Sequence, residues 1–258
     1  MNQTTDVRCE VDGPVAVITL NRPAKLNAVT PEMAAALRGH AARLNDDPEI
    51  RAVVLTGAGD RAFCVGSDIR ELDAYATPWD FRNRGDYGDA LRELRKPLIA
   101  AVNGYAYGGG LELALACDIR LAARTATFAA PEIKLGWIGG TGQSALLAHS
   151  VGPGNAALML LTGDPIDAEQ ALAWGLVSTV VEPGDLQASA RELAGRIAAR
   201  APIAAQTAKA NLRAAYTMPL DQAIRYERDL QTVCFATEDA AEGRAAFAER
   251  RDPRFRGR

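Results

Sequence analysis

A chain of 258 residues with 48% hydrophobic and 24% charged side chains and a net charge of -3 is large enough to bury a substantial core, and its proportions exclude a disordered or fibrous protein. The near-balanced charge gives no support to nucleic-acid or membrane-surface binding. Four single cysteines, Cys9, Cys64, Cys117 and Cys234, have no histidine at ligand spacing, so neither a metal site nor a disulfide framework is expected.

In chain order, the polar start and a longest apolar run of six residues, Ala156 to Leu161, lead to the expectation of a cytoplasmic protein without leader or membrane anchor. The β-branched cluster Val15 to Leu20 reads as a buried strand, and Thr30-Pro31-Glu32 opens a helix with a hydroxyl cap and a proline in the first turn. Ala52 to Thr56 and Leu98 to Val102 are further strands, each closed by a glycine turn. A helix is expected over Leu111 to Cys117, then strands at Asp118 to Ala123, Thr127 to Ala129 and Val177 to Val181. Strands alternating with helices make an α/β protein. From residue 186 the pattern is helical throughout, giving a core over 1–185 and a helical region over 186–258. The last stretch, Gly243 to Arg258, carries six Arg against one Glu and one Asp and reads as a solvated basic terminus.

Several familiar motifs fail. Gly57-Ala-Gly59 lacks the third glycine of a dinucleotide loop, no GxxxxGK[ST] occurs, and Gly142-Gln-Ser144 lacks the closing glycine of a nucleophile elbow. The two histidines, His40 and His149, read as surface and packing residues. Three segments remain. Arg61 to Asp68 is a loop after a strand, Asn103 to Leu113 is a glycine-rich turn feeding a helix with an early Glu112, and Pro131 to Gly136 brings Glu132. Glycines running into a helix leave backbone N–H groups free at the positive end of the helix dipole, and these bind a developing oxyanion. A second N–H from the Cys64-Val65-Gly66 loop completes a two-donor hole, and two carboxylates beside it suit proton transfer next to a thioester carbonyl.

These residues resemble the crotonase, or enoyl-CoA hydratase/isomerase, superfamily. The likeness runs through Val15 to Pro23, Leu26-Asn-Ala28, Arg61 to Leu72, Gly104 to Ile119, Ala130 to Gly136, Leu161-Thr-Gly163 and Ala171 to Val177. The resemblance implies a spiral of ββα units with a C-terminal helical trimerisation region, a homotrimer or homohexamer, and a coenzyme A thioester as substrate, with no separate cofactor. By position, Val65 and Gly109 match the two oxyanion donors. Gly66, Ser67 and Asp68 match the loop that contacts coenzyme A, with Cys64 and Ala28 beside it. Glu112 and Glu132 match both glutamates of the hydratase subgroup.

Possession of both acids favours addition of water to a 2-enoyl thioester, with Glu112 activating water and Glu132 protonating C2. An isomerase or dehydratase of a specialised acyl-CoA, and a non-catalytic binding protein, are the alternatives. The run Trp137 to Leu146 departs from the family's, which has a Pro-Gly pair and Gly-Gly-Thr-Gln-Arg: Gly139 replaces the proline and Ala145-Leu146 the Gln-Arg. Trp137 is expected either in the acyl pocket or packed behind it. Leu72 to Leu94, with Tyr75, Trp79, Phe81, Arg82, Arg84 and Tyr87, falls where similar proteins line the acyl tunnel, and is expected either to be an amphipathic helix covering the core or to present its aromatics to a cyclic or branched acyl group. Arg22 and Lys25 are candidates for the phosphates of coenzyme A.

Overall fold

The computed structural model describes residues 5–72 and 75–258. Its strands fall in two sheets. The larger has six strands in the order β1-β2-β3-β5-β7-β10, formed by Val7–Asp12, Val15–Leu20, Ala52–Gly57, Leu98–Val102, Ile119–Ala123 and Thr179–Val181. Only β1 runs antiparallel to its neighbour; every other pairing is parallel. The smaller sheet, β4-β6-β8-β9, is built from Ala62–Cys64, Tyr105–Tyr107, Thr127–Ala129 and Ile166–Asp167.

From β3 to β8 successive strands alternate between the sheets, and the chain advances there as a spiral of ββα turns. Thus β5 passes into β6 and then helix α5 (Gly109–Ala116), while β7 passes into β8, a short 3-10 turn (Pro131–Leu135) and α6 (Gln143–Thr162). Val, Ile and Leu from β2, β3 and β5 are almost wholly buried, because parallel strands covered on both faces admit no polar alternation. One core packs Ile18, Leu55 and Val102 against Phe63 and Phe128 and against Met33 and Leu37 of α1 (Pro31–Asp46). Thr30 caps α1 by accepting from Met33 N at 3.3 Å, as its sequence predicts.

The opposite face of the large sheet is covered by α8 (Leu186–Ala198), whose Leu186, Ala190, Ala194 and Ala198 meet Val17, Val54, Ile99 and Leu121. Helix α9 (Pro202–Ala214) is tied in by Lys209 Nζ, 2.7 Å from Asp118 Oδ2. Then α10 (Leu220–Phe235) and α11 (Glu238–Glu249) follow, and the terminus folds back. Asp239, buried, accepts from the Arg256 and Gly257 amides at 2.6 and 2.7 Å. Arg251 pairs with Glu242 and Glu249, and Arg258 with Glu238, so two of the six arginines of the basic terminus are ion-paired locally.

The large-sheet strands at 15–20, 52–57, 98–102 and 119–123 fall where expected, and so does β8. The last strand begins at Thr179 rather than Val177, because the Leu176 and Val177 amides close the preceding turn on Ala171 O. Leu72 to Leu94 is not one amphipathic helix. It begins at the last residue of α2 (Ile69–Leu72) and holds two short helices, α3 (Pro78–Arg82) and α4 (Tyr87–Arg92), with Pro78 and the Asp86 cap starting new turns; Asp73 and Ala74 lie outside the described residues. Helix α6 is long and apolar enough to cross a membrane by composition alone. Gly152 (φ 78°, ψ 158°), followed by Pro153, divides it into two segments, each roughly half the span a bilayer core of about 30 Å requires.

Candidate active site

Helix α5 starts against the loop that follows β4. Its three leading glycines make that approach possible: a Cβ on Gly110 would sit 1.9 Å from Cys64 O, and one on Gly109 would sit 3.2 Å from Gly66 Cα. Gly108 adopts φ 56° and ψ -124°, a backbone shape closed to ordinary side chains. The Val65 and Gly109 amides, brought together by this contact, have no acceptor among the described residues. Two N–H groups without a protein acceptor, one of them at the first turn of a helix, are free to donate to an anion.

The loop itself is fixed by a short parallel bridge between Val29 and Ser67. Val29 N donates to Gly66 O at 2.8 Å and Asp68 N to Val29 O at 2.9 Å. Ala28 is buried, and its carbonyl accepts from Arg22 Nη1 at 2.7 Å. Arg22 also pairs with Asp68 at 3.3 Å, which makes it a brace of this loop rather than a free cation, while Lys25 is exposed. Ser67 Oγ lies 3.1 Å from Tyr87 Oη. Cys64 is fully buried, with Sγ accepting from Gly66 N at 3.3 Å, and burial pushes its thiol up to about 12. Its side chain is packing, not a nucleophile.

Both carboxylates are held by one three-residue segment. Thr141 N donates to Glu112 Oε1 at 2.8 Å, and two residues on Gln143 Nε2 donates to Glu132 Oε1 and Oε2, each at 3.1 Å. Glu112 is 5% exposed and Glu132 9%. Glu132 Oε1 stands 2.8 Å from where a Cβ on Gly108 would be, which sets this acid against the turn that carries the Gly109 amide. Burial raises the Glu132 carboxyl above its ordinary range; the Gln143 amide opposes that rise, and the charge of Glu112 adds to it. One acid biased toward its protonated form and a second acid held by the same segment are what acid-base chemistry on adjacent carbons needs.

Trp137 is half-exposed; its amide donates to Glu132 O at 3.2 Å and helps close the turn that carries the acid. His149 packs its ring against Tyr216 at 4.7 Å, and His40 Nδ1 faces Arg43, leaving neither as a base at this site. Two residues that the sequence did not single out as part of the site belong to it, Thr141 and Gln143, and the only hint of them was the departure of the Trp137 to Leu146 run from the family's pattern. Tyr87 lies in the Leu72 to Leu94 stretch expected at the acyl tunnel.

The model of the family described as enoyl-CoA hydratase/isomerase matches residues 10–258. The chain belongs to that family. A short-chain-enoyl-CoA hydratase of Clostridium acetobutylicum is 39% identical over 96% of this chain and 97% of its own length. An (E)-benzylidenesuccinyl-CoA hydratase of Thauera aromatica is 44% identical over 97% of this chain and 99% of its own. The crystal structure of an enoyl-CoA hydratase from Mycobacterium tuberculosis superposes with a TM-score of 0.91 at 35% identity, covering 99% of this chain and 100% of the other. Full-length kinship at these levels makes the activity that of an enoyl-CoA hydratase, a hydro-lyase of the crotonase superfamily acting on an acyl-CoA thioester.

Proposed function

We propose that hydration is carried by Glu112, Glu132 and the Val65 and Gly109 amides. The thioester oxygen sits between the two amides. Water held by Glu112 gives up a proton to that carboxylate as its oxygen bonds to C3. The electrons of the double bond move onto the thioester oxygen as an enolate. Glu132 then delivers its proton to C2, the enolate collapses, and the acids exchange a proton to reset. Dehydration is the same sequence in reverse. The observation that carries this reading is the tethering of both acids by the 141–143 segment, against a pair of amides with no protein acceptor among the described residues.

Ser67, Asp68, Gly66 and Ala28 then border the coenzyme A portion of the substrate. The acyl group lies under α3 and α4: Arg84 stacks on Phe81 at 4.1 Å and brings Nη2 to 3.0 Å from a Cβ on Gly140. Exposed Trp79, Trp137 and Ile138 around this segment favour a bulky or aryl acyl chain, as does kinship to a hydratase named for benzylidenesuccinyl-CoA. Loss of the conjugated-thioester absorbance on mixing with crotonyl-CoA and with an aryl-substituted enoyl-CoA tests both parts. Turnover of neither refutes hydration at this site, and a strong preference for crotonyl-CoA refutes the bulky acyl chain.

The assembly is a homotrimer, or two such trimers, joined through the C-terminal helices. In support, α10 has no buried residue and displays Leu220 (76% exposed), Val233 and Phe235, and α11 displays Phe247 (88% exposed). Such a surface is unfavourable on a monomer in water. A cytoplasmic location is part of the same proposal, in keeping with four free thiols.

A further inference from the structure

Glu132 is gripped from a direction that the fold alone does not require. Gln143 is the first residue of α6 and only 1% exposed, and its Nε2 meets both carboxylate oxygens of Glu132 at 3.1 Å. Its side chain occupies the place that a side chain at 139 would need. A Cβ on Gly139 would lie 2.6 Å from Gln143 Cβ, 2.6 Å from its Oε1 and 2.7 Å from its Cδ. Gly139 is not among the positive-φ residues, so its backbone would accept other amino acids. Glycine is there for space. The two residues therefore share one space: the absent side chain at 139 admits a long amide from 143.

We propose that Gln143 is a positioning residue for Glu132, admitted to the site by the absent side chain of Gly139, and that the two residues act as a coupled pair. A primary amide suits this task because it carries two donors and an acceptor. Toward the carboxylate it donates, as the structure shows; toward the protonated acid it can donate and accept in one ring, holding the acid in place while its proton leaves and returns. Among the described residues, the charged group that bears on Glu132 is Glu112 of α5; Gln143 of α6 and Thr141 of the adjoining loop are neutral, and Lys134, on the same turn as Glu132, is paired with Asp164 at 2.7 Å. The proposal rests on the hydratase reading for its effect on turnover but not for its effect on the acid.

The test uses Gln143→Met, which keeps the volume and loses the donor, and Gln143→Gly and Gly139→Ala singly and together, with thermal melts to confirm folding. Gln143→Met is expected to lower kcat about 10-fold or more with KM changed less than about twofold. It is also expected to move the alkaline limb of the kcat profile upward by about 0.5 to 1 pH unit, because a donor to the charged form is lost. Gly139→Ala is expected to cost a similar factor in the native background and less than about twofold on top of Gln143→Gly. Independently of turnover, the infrared carboxyl titration of Glu132, identified by difference against Glu132→Gln, should shift upward in Gln143→Met. Additive losses at 139 and 143, or a titration unmoved by Gln143→Met, overturn the proposal. A folded native enzyme that hydrates no enoyl thioester but shows the titration shift overturns the hydratase mechanism alone and leaves the pairing intact.

Discussion

Gly109→Ala puts a methyl into one of the two tightest places in the site. The new Cβ would lie 1.9 Å from Tyr87 Oη and 3.0 Å from Tyr87 Cζ, against an ordinary carbon contact of about 3.5 Å. Something must move by more than an ångström, and Tyr87 is buried with its hydroxyl on Ser67, so the nearest yielding element is the Gly109 backbone itself. Overpacking of this kind costs about 1–3 kcal/mol of stability, and loss of one oxyanion donor costs about 100- to 1000-fold in kcat. Tyr87→Phe removes the clashing oxygen and leaves the ring carbon nearest, a relief of 1.1 Å (3.0 minus 1.9). The double variant should therefore recover at least about tenfold of the lost rate, read by thioester absorbance at saturating crotonyl-CoA or a better substrate. Gly109→Ala with kcat within about threefold of native, in a folded protein, would show that the Gly109 amide does not hold the enolate.

Glu112→Gln and Glu132→Gln should each lower kcat by at least about 100-fold, the lower range for loss of a general acid or base, with melting temperature preserved or raised. Because Glu132 is protonated more readily in the folded chain than its ordinary value of 4.5, folding holds that proton more tightly. Stability from this group is therefore greatest at low pH and declines as pH rises from the ordinary value to the raised one. Melting temperature against pH should show that decline in the native protein and less of it in Glu132→Gln. Leu220→Asp should convert the assembly to smaller species, measured by light scattering, if the exposed stripe of α10 is the contact; an unchanged mass would clear that helix of the role.

The sequence declares β2, β3 and β5 because each is five or six residues of buried aliphatic side chains. It hides β4, β6 and β9, which are three, three and two residues long and show no periodicity, although β8, equally short, is legible as Thr127 to Ala129. Strand β1 is hidden for another reason: VRCEVD is an edge strand whose polar residues read as a loop. At the site, the glycine turn and Glu112 are neighbours in the chain and so are visible. The bond from Thr141 to Glu112 spans 29 residues and that from Gln143 to Glu132 spans 11, and only the path of the intervening loop decides which side chain meets which acid.

That both acids hang from a strap of three residues at the head of α6 has a mechanical corollary. Loosening the first turn of this helix, by heat, by denaturant or by a substitution farther along it, degrades both proton-handling groups in step. Inactivation should precede global melting and begin there, and hydrogen exchange at the Thr141 amide would register its onset.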